Sequence, residues 1–373
     1  MNVLYKAFQK CKKGVYWKDS VQKYESSLLE NLYKLYKSLE DGTYQQSPFY
    51  EFDICERGKQ RHIKALKIKD RVLQRALCDE ILIPLLTSQL IYDNGANIKG
   101  KGVDFAKKRL EEHLRKYYIN HGSNEGYILQ LDISKYFDSI PHDKVYEVLT
   151  ERITDERLKN LIKHIISTFG EDTGIGIGSQ ISQVIGIYYL HKFDNYIKIV
   201  KGMKYYARYT DDMYIIHEDK EVLQSLLTDI KEQLSFYGFT LNEKKTQIRK
   251  LNKRFVFLKS RYILTDSGKV IIMQNKSAFS RERRKLKSFK KNNVNQQEIT
   301  TQYKSWRGTV VPTVHIKYRS YKSIKGMDLL FQQIISEADN GEKETRINRR
   351  DKAKLRSRTK SFNYGTSNWR RIW

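Results

Sequence analysis

The stretch that most constrains this chain is residues 204–217, KYYARYTDDMYIIH. Two runs rich in aromatic and β-branched residues flank the short polar piece Thr210-Asp211-Asp212. This pattern predicts a β-hairpin that carries carboxylates at its tight turn. Adjacent aspartates repel each other, and a bound divalent cation removes the repulsion because Mg²⁺ prefers carboxylate oxygens. Taken alone, the hairpin fits a metal site and a solvated Asp-Asp turn about equally well.

A second aspartate upstream favours the metal site. Residues 127–133, YILQLDI, read as a buried strand that ends in Asp132, and Phe137 follows five residues later. An acid at the end of an apolar strand contributes little to packing. Two strands that each deliver an aspartate can hold two metal ions, one for the attacking oxygen and one for the leaving oxygen.

These two stretches, LDISKYFDSI and YTDD, resemble the palm motifs of reverse transcriptases. The resemblance implies that Asp132, Asp211 and Asp212 are the catalytic acids. It implies two Mg²⁺ ions per active site, with Mn²⁺ as an alternative, bound by these acids together with Ile133. It also assigns substrate contacts to Ile133 and to Phe137, whose ring would exclude a ribose 2′-hydroxyl.

Two further motifs follow in the family's order. Residues 239–246, FTLNEKKT, match an element whose lysine, here Lys245, is thought to protonate the departing pyrophosphate. Residues 255–260, FVFLKS, take the place of the primer grip, with Lys259 where the family has glycine.

The glycine-rich run GIGIGSQISQ at residues 174–183 resembles the template-positioning motif of bacterial reverse transcriptases. Glycines that open a helix let the backbone approach a ligand closely. The resemblance implies nucleic-acid contacts at Gly178 and Ser179 and a substrate contact at Gln183. Its Ser-Gln ending is closer to the diversity-generating retroelements and the unclassified or defence-associated lineages than to group II introns. The retrons are disfavoured because no clear Val-Thr-Gly element is found near the thumb.

The fingers region supplies the candidate triphosphate ligands. Residues 49–68 read as a hairpin with basic residues, and the resemblance makes Lys59, Arg61 and Lys64 candidates for the incoming nucleotide. The glycine-lysine loop after Asn94 adds two substrate candidates, Lys99 and Lys101. Such a loop can cradle phosphates, although a surface turn explains it as well.

The last third of the chain is strongly basic. Residues 280–291 read as a basic helix with Arg283, Arg284 and Lys287 as candidate nucleic-acid ligands, and Trp306 lies in a stretch that resembles the family's thumb. A basic thumb would grip a duplex by its backbone. The chain from Arg346 onward reads as a flexible arm, or as one that orders on RNA or on a neighbouring subunit.

The composition points to a polyanionic partner. The 373 residues carry 70 Lys and Arg against 43 Asp and Glu, a net charge of +27. A phosphate backbone attracts such a chain without regard to sequence. An anionic membrane is the rival, but we find no transmembrane-length apolar run and no signal peptide. The three widely spaced cysteines fit a reducing cytoplasm.

The expected fold is α+β, a right-hand polymerase with fingers, a palm of antiparallel sheet with helices, and an α-helical thumb. The predicted domains are an N-terminal helical extension at 1–48, fingers at 49–126, palm at 127–265 with a finger-like insertion around 142–175, thumb at 266–340 and a basic tail at 341–373.

The sequence thus predicts an RNA-directed DNA polymerase of a bacterial defence system or retroelement. Its expected partners are dNTPs, an RNA template that is a cognate non-coding RNA, a DNA product or primer, and an accessory protein or a second copy of the chain. Four alternatives stay open: a diversity-generating retroelement enzyme, template-independent DNA synthesis, an RNA-dependent RNA polymerase, and a scaffold that only binds nucleic acid.

Overall fold

The computed structural model describes residues 1–56, 59–274, 276–292, 294–310 and 323–337; the side chains of Glu56 and Lys59 are outside this description. Helices alternate with short antiparallel strands, which confirms the predicted α+β class. The chain divides into two units. The first is Met1–Lys253 with Leu264–Val270, and the second is Arg254–Ile263 with the chain from Ile271 onward.

The helices of the first unit are α1 Asn2–Lys12, α2 Asp19–Ser26, α3 Leu28–Glu40, α4 Ile68–Leu77, α5 Ile83–Thr87, α6 Val103–His121, α7 His142–Thr150, α8 Glu156–Ser167, α9 Gln180–Tyr188, α10 His191–Asn195 and α11 Lys220–Phe236. Its strands are β1 Tyr50–Glu56, β2 Lys59–Ala65, β3 Tyr127–Asp132, β4 Tyr205–Tyr209, β5 Asp212–His217 and β6 Gln247–Lys250. No helix in the described part of the chain is both long and apolar enough to cross a membrane.

The N-terminal helices form because an apolar stripe recurs at helical spacing. On α3 the stripe buries Leu32 and Leu35, while Leu28 and Leu39 pack against the same core from its edge. Helix α1 packs against α4, which follows the β1–β2 hairpin. The predicted hairpin is confirmed, with Tyr50 paired to Ala65 and Glu56 to Lys59.

The central element is an antiparallel sheet of order β4-β5-β3-β6. Strands β3 and β5 are buried along nearly their whole length, which explains their continuous apolar runs. Helices α6 and α11 pack against this sheet. The sheet therefore fixes the positions of residues at the ends of β3 and β5.

Two helical stretches are interrupted. The amphipathic stretch 142–168 divides into α7 and α8, because the side chain of Asp155 caps a new helix by accepting a hydrogen bond from Leu158 N at 2.7 Å. The helix that starts at Gln180 stops at Tyr188, and α10 begins at His191.

The second unit contains most of a three-stranded sheet, β7 Phe255–Phe257, β8 Ser260–Leu264 and β9 Val270–Gln274, and the helices α12 Lys276–Lys291, α13 Gln296–Val310 and 323–337. Leu258 and Lys259 form the turn between β7 and β8 with φ of 43° and 67°. This left-handed backbone explains why glycine suits the position of Lys259. The predicted domain boundaries stay predictions, and residues 338–373, including the basic tail, lie outside the described residues.

Candidate active site

The sheet brings the three predicted acids to one end of the β3–β5 pair. Asp132 at the end of β3 is the cross-strand partner of Asp212 at the start of β5. Asp211 lies in the two-residue turn before Asp212, and its carbonyl oxygen accepts a hydrogen bond from Ile133 N at 3.3 Å. Asp132 is buried, whereas Asp211 and Asp212 are half-buried. Three aspartates thus occupy adjoining backbone positions at one edge of the sheet.

The turn that carries Asp211 is strained. Thr210 has a φ of 57°, a left-handed conformation that is unfavourable for a β-branched residue. Such strain persists only where the surrounding structure holds it in place, and it is frequent at functional sites. Arg208 Nη1 donates a hydrogen bond to the carbonyl oxygen of Thr210 at 3.3 Å, so Arg208 is one group that holds the turn.

Arg208 is part of a buried polar network that the sequence analysis missed. Its Nε and Nη2 donate to both carboxylate oxygens of Asp194 at 2.7 Å, and its Nη2 also donates to the carbonyl oxygen of Ile187 at 2.6 Å. The hydroxyl of Tyr206 donates to Asp194 Oδ1 at 2.6 Å. An arginine within the apolar strand YYARY was the available signal, because a charge there needs a buried partner.

The segment 239–246 runs beside the end of β3 and delivers Lys245 to the acids. Ser134 N donates to the Thr240 carbonyl at 2.9 Å, and Asn242 N donates to the Asp132 carbonyl at 2.8 Å. A turn closed by hydrogen bonds to the Asn242 carbonyl follows. It places Lys245 Nζ 2.5 Å from Asp132 Oδ1. The lysine that the resemblance selected therefore lies beside the acids.

The electrostatics of the site favour positive charge. Burial disfavours the charged form of Lys245, but the hydrogen bond to Asp132 and the charges of Asp132, Asp212 and Asp211 outweigh it and raise the lysine pKa above 10.5. Lys245 therefore stays protonated at neutral pH and can donate a proton. Burial raises the pKa of the Tyr209 hydroxyl, and the negative charges of Asp212 and Asp211 raise it further.

The donor set suits a hard divalent cation, because it consists of carboxylate oxygens. Within the described ranges, no three Asp, Glu, His or Cys side chains are already arranged around one metal position. In this structure the Lys245 ammonium satisfies an oxygen of Asp132 instead. The residues present therefore fit Mg²⁺ by chemistry and charge, with the lysine ammonium as a competitor for Asp132.

Phe137 lies in a 3₁₀ turn, Tyr136–Asp138, just beyond Asp132. Its ring is half-buried and meets the Tyr136 ring edge-on at 5.4 Å. Gly186 on α9 makes room for it, since a Cβ at that position would lie 2.8 Å from Phe137 Cε1. The position of Phe137 is thus set by close packing against α9.

The fingers lysines differ in their contacts. Lys64 Nζ donates to the carbonyl oxygen of Phe169 at 2.8 Å. Lys101 Nζ donates to the Tyr92 carbonyl at 2.6 Å and lies over the Tyr92 ring, and burial lowers its pKa. Both lysines therefore stabilise the first unit itself. Lys99 and Arg61 are exposed on the same unit.

The glycine-rich motif lies against the fingers hairpin. Gly178 has a φ of 113°, and a Cβ there would lie 3.6 Å from Ile63 Cγ2. The Ser179 hydroxyl caps α9 by accepting from Ser182 N and donates to Gln74 Oε1 at 2.9 Å, so it is used within the protein. Gln183 is exposed.

Gly178 and Gln183 line one cavity of about 370 Å³. Arg71 on α4 also lines it, is half-buried, and forms no side-chain hydrogen bond or ion pair with any residue that the structure describes. The sequence analysis did not single out Arg71. The cavity is lined by Lys10, Cys11, Leu66, Arg71, Gln74, Arg75, Ile83, Asn97, Gly178, Gln180, Gln183 and Val184.

In the second unit, the basic residues of α12 share an exposed face. Arg283, Arg284 and Lys287 are exposed, while Leu286 is buried in the unit's own small core. Trp306 packs against that core through the rings of Phe279 and Tyr303, at 5.7 and 5.5 Å. Trp306 therefore contributes to packing, and the three basic residues remain candidate ligands.

Comparisons with known proteins bear on this site. A model of the family described as reverse transcriptase (RNA-dependent DNA polymerase) matches residues 50–309. Protein YkfC of Escherichia coli (strain K12) is 24% identical over 286 residues, which cover 64% of this chain and 73% of YkfC. The uncharacterized 91 kDa protein in cob intron of Schizosaccharomyces pombe is 35% identical over 79 residues, 19% of this chain and 10% of that protein.

Solved structures with some similarity include two telomerases. The apo telomerase of Candida tropicalis, truncated from the C-terminal domain, has a TM-score of 0.48 and 13% identity, covering 66% of this chain and 60% of that one. The telomerase of Candida albicans with a TWJ fragment of telomeric RNA has a TM-score of 0.48 and 11% identity, covering 79% and 55%. This chain thus spans less than two thirds of either telomerase chain.

The family match includes every acid of the candidate site and more than half of the chain. The chain therefore belongs to the reverse transcriptase family of RNA-dependent DNA polymerases, which are nucleotidyltransferases.

Proposed function

We propose that this chain copies RNA into DNA at the site formed by Asp132, Asp211 and Asp212. The observation that carries the proposal is the cross-strand pairing of Asp132 with Asp212, with Asp211 in the adjoining turn and Lys245 Nζ at 2.5 Å from Asp132. A surface that only binds phosphates has no use for three carboxylates, since they repel the ligand. This argues against the scaffold alternative.

Each residue of the site has a proposed role. Asp132 and Asp211, with Ile133 beside them, would hold two Mg²⁺ ions, which supply charge neutralisation and polarise the reacting oxygens when bound. Asp212 adds negative charge at the same edge of the sheet. Lys245 would donate a proton to the departing pyrophosphate, since the neighbouring carboxylates keep its ammonium protonated.

The nucleotide contacts follow from exposure and position. We assign the dNTP sugar to Phe137, the base pair to Gly178 and Gln183, and the triphosphate first to Lys99, which is exposed. Lys64 and Lys101 would have to leave main-chain carbonyls before they could bind phosphate. Phe137 also argues against RNA-dependent RNA synthesis, because an aromatic ring beneath the sugar leaves no room for a 2′-hydroxyl.

For the biological setting, we propose a bacterial defence system or retroelement with a cognate structured RNA. The net charge of +27 and the exposed basic face of α12 support the RNA partner. The Ser-Gln ending of the motif at residues 174–183 supports the bacterial lineage. Sequencing the nucleic acid that copurifies with the protein tests this part. A single recurrent RNA is the expected result, and a random sample of cellular RNA would contradict it.

The catalytic assignment is tested by an isosteric substitution with a matched control. Asp211→Asn should abolish primer extension on RNA while leaving RNA affinity within about twofold, because the acids act on metal and the basic residues act on phosphate. Asp138→Asn, an exposed aspartate on the turn after Asp132, should extend primers like the parent. An active Asp211→Asn enzyme, or equal loss in both variants, would contradict the assignment.

A further inference from the structure

The corner between α1 and α2 has a fixed shape. Six residues, KGVYWK at 13–18, join the two helices, and Gly14 takes a left-handed φ of 79°. Val15 packs against the main core, and its backbone accepts from Lys18 N and donates to the Lys12 carbonyl, both at 3.1 Å. The loop is therefore anchored through Val15.

This anchored loop exposes two adjacent aromatic side chains. Tyr16 is 65% exposed and Trp17 is 62% exposed. Burial of each ring would be favourable, so two adjacent exposed rings on an anchored loop offer a contact surface to another molecule.

Cations flank the aromatic pair. Lys18 Nζ lies 5.6 Å from the centre of the Trp17 ring. Lys13 is exposed and has neither a hydrogen bond nor an ion pair within the described part of the chain. Residues 9–25 contain five lysines and only two acids, of which Glu25 is already paired with Lys12. Aromatic faces between unpaired cations suit a single nucleic-acid strand, whose bases stack and whose phosphates are anionic.

A groove beside Tyr16 supplies hydrogen-bonding groups. It has a volume of about 610 Å³ and is lined by Gln9, Lys12, Lys13, Gly14, Tyr16, Gln22 and Glu25. The two glutamine amides can both donate and accept, which matches base edges and the ribose 2′-hydroxyl. The amides favour RNA over DNA because the 2′-hydroxyl gives them one more partner, and the excess of lysines over acids in residues 9–25 favours a polyanionic strand over a protein face.

We propose that the α1–α2 corner is a docking surface for single-stranded RNA, separate from the acid site. A base stacks on Tyr16 or Trp17, Lys13 and Lys18 contact the phosphates, and Gln9 and Gln22 contact the sugar and base edges. The inference rests on the proposed function in that the RNA is the strand that the enzyme copies or carries.

The test measures binding of the full chain to a fluorescein-labelled, unstructured 20-nucleotide RNA and to DNA of the same sequence. Tyr16→Ala should weaken RNA binding about fivefold or more, as expected for one lost stacked base, without changing the salt dependence. Lys13→Ala should reduce the slope of log affinity against log salt by about 0.7. Gln22→Ala should weaken RNA binding more than DNA binding. Tyr33→Ala is the matched control, because Tyr33 is a 53% exposed tyrosine on α3.

Three outcomes would overturn the docking site. Tyr16→Ala and Tyr33→Ala could weaken RNA binding equally, or Gln22→Ala could weaken RNA and DNA binding equally. Tyr16→Ala could also change the oligomeric state of the protein and leave its RNA affinity unchanged. Each is separable from failure of the proposed function. Loss of DNA synthesis in the parent with the Tyr16 effect intact would contradict only the polymerase assignment. Normal synthesis without a Tyr16 effect would contradict only the docking surface.

Discussion

Among single residues, Phe137 makes the most specific prediction for substrate choice. Its ring is held half-buried beyond Asp132, and it is not among the proposed metal ligands. Phe137→Ala should therefore admit ribonucleotides, lowering the preference for dNTP over NTP by about tenfold or more while dNTP addition continues. Single-nucleotide incorporation with each substrate measures the ratio.

Phe137→Tyr is the control for this experiment because it keeps the ring and should keep the preference. A Phe137→Ala enzyme that discriminates like the parent would show that Phe137 is only a packing residue. A small contribution of packing is expected in any case, because Gly186 and Tyr136 contact the ring.

His113 on α6 predicts a pH dependence of stability. Burial lowers its pKa to about 3, and its neutral ring accepts from Arg109 Nη2 at 3.2 Å and bonds the Tyr214 hydroxyl at 3.0 Å. The unfolded chain protonates this histidine below about pH 6.5 while the folded chain does not. Stability should therefore be complete above pH 6.5 and fall as the pH drops toward 3, by on the order of 2 kcal/mol between pH 7 and pH 5.

Chemical denaturation at pH 7 and pH 5 checks this prediction. His113→Gln keeps a donor and an acceptor but does not titrate, so its stability should change less over the same interval. An identical pH response in parent and variant would assign the effect to other groups.

At the scale of elements, the strained turn between β4 and β5 depends on the Arg208–Asp194 pair. Arg208→Lys keeps the charge but loses the bidentate contact with Asp194 and the hydrogen bonds to the Thr210 and Ile187 carbonyls. We expect kcat to fall about tenfold or more with little change in KM for dNTP, because the acids are displaced while the nucleotide contacts remain.

Tyr206→Phe is the control from the same network, since it removes one hydrogen bond to Asp194 without touching the turn. It should lower the free energy of unfolding by about 1 kcal/mol and leave kcat near the parent value. If kcat follows stability in the same way for both variants, Arg208 has a general structural role rather than a positioning one.

The elements were largely predictable because each has a local signal. Apolar and aromatic runs located β3, β4 and β5. The break between α7 and α8 has no such signal, because a single cap residue, Asp155, outweighs a continuous amphipathic pattern. The Arg208–Asp194 pair was missed because its partners come from separate elements, which sequence spacing does not reveal.

The candidate site was predicted in part. Asp132, Asp211, Asp212 and Lys245 were selected by their motifs, and the structure brings them together. The hydrogen bonds of Lys64, Lys101 and Ser179 could not be predicted from the sequence. A motif gives the type and position of a residue, but it does not give the backbone group that its side chain contacts.

At the scale of the whole molecule, one cluster of Lys and Arg lies in the chain from Arg346 onward. This segment follows the last thumb-like motif, which contains Trp306. We predict that this segment supports an RNA or protein partner rather than chemistry. A chain that stops before Arg346 should extend a simple primed RNA template at near-normal rate at low salt, and it should lose its native RNA partner or its oligomeric state. A collapse of primer extension would place the segment within the catalytic body.

The central claim is that this chain synthesises DNA on an RNA template at the aspartate site. The most direct measurement is sequencing of the product made from a primed RNA of known sequence with an equimolar mixture of dNTPs and NTPs and Mg²⁺. The predicted product is DNA complementary to the template, formed by the parent and abolished by EDTA. A ribonucleotide product, or DNA whose sequence is unrelated to the template, would contradict the account.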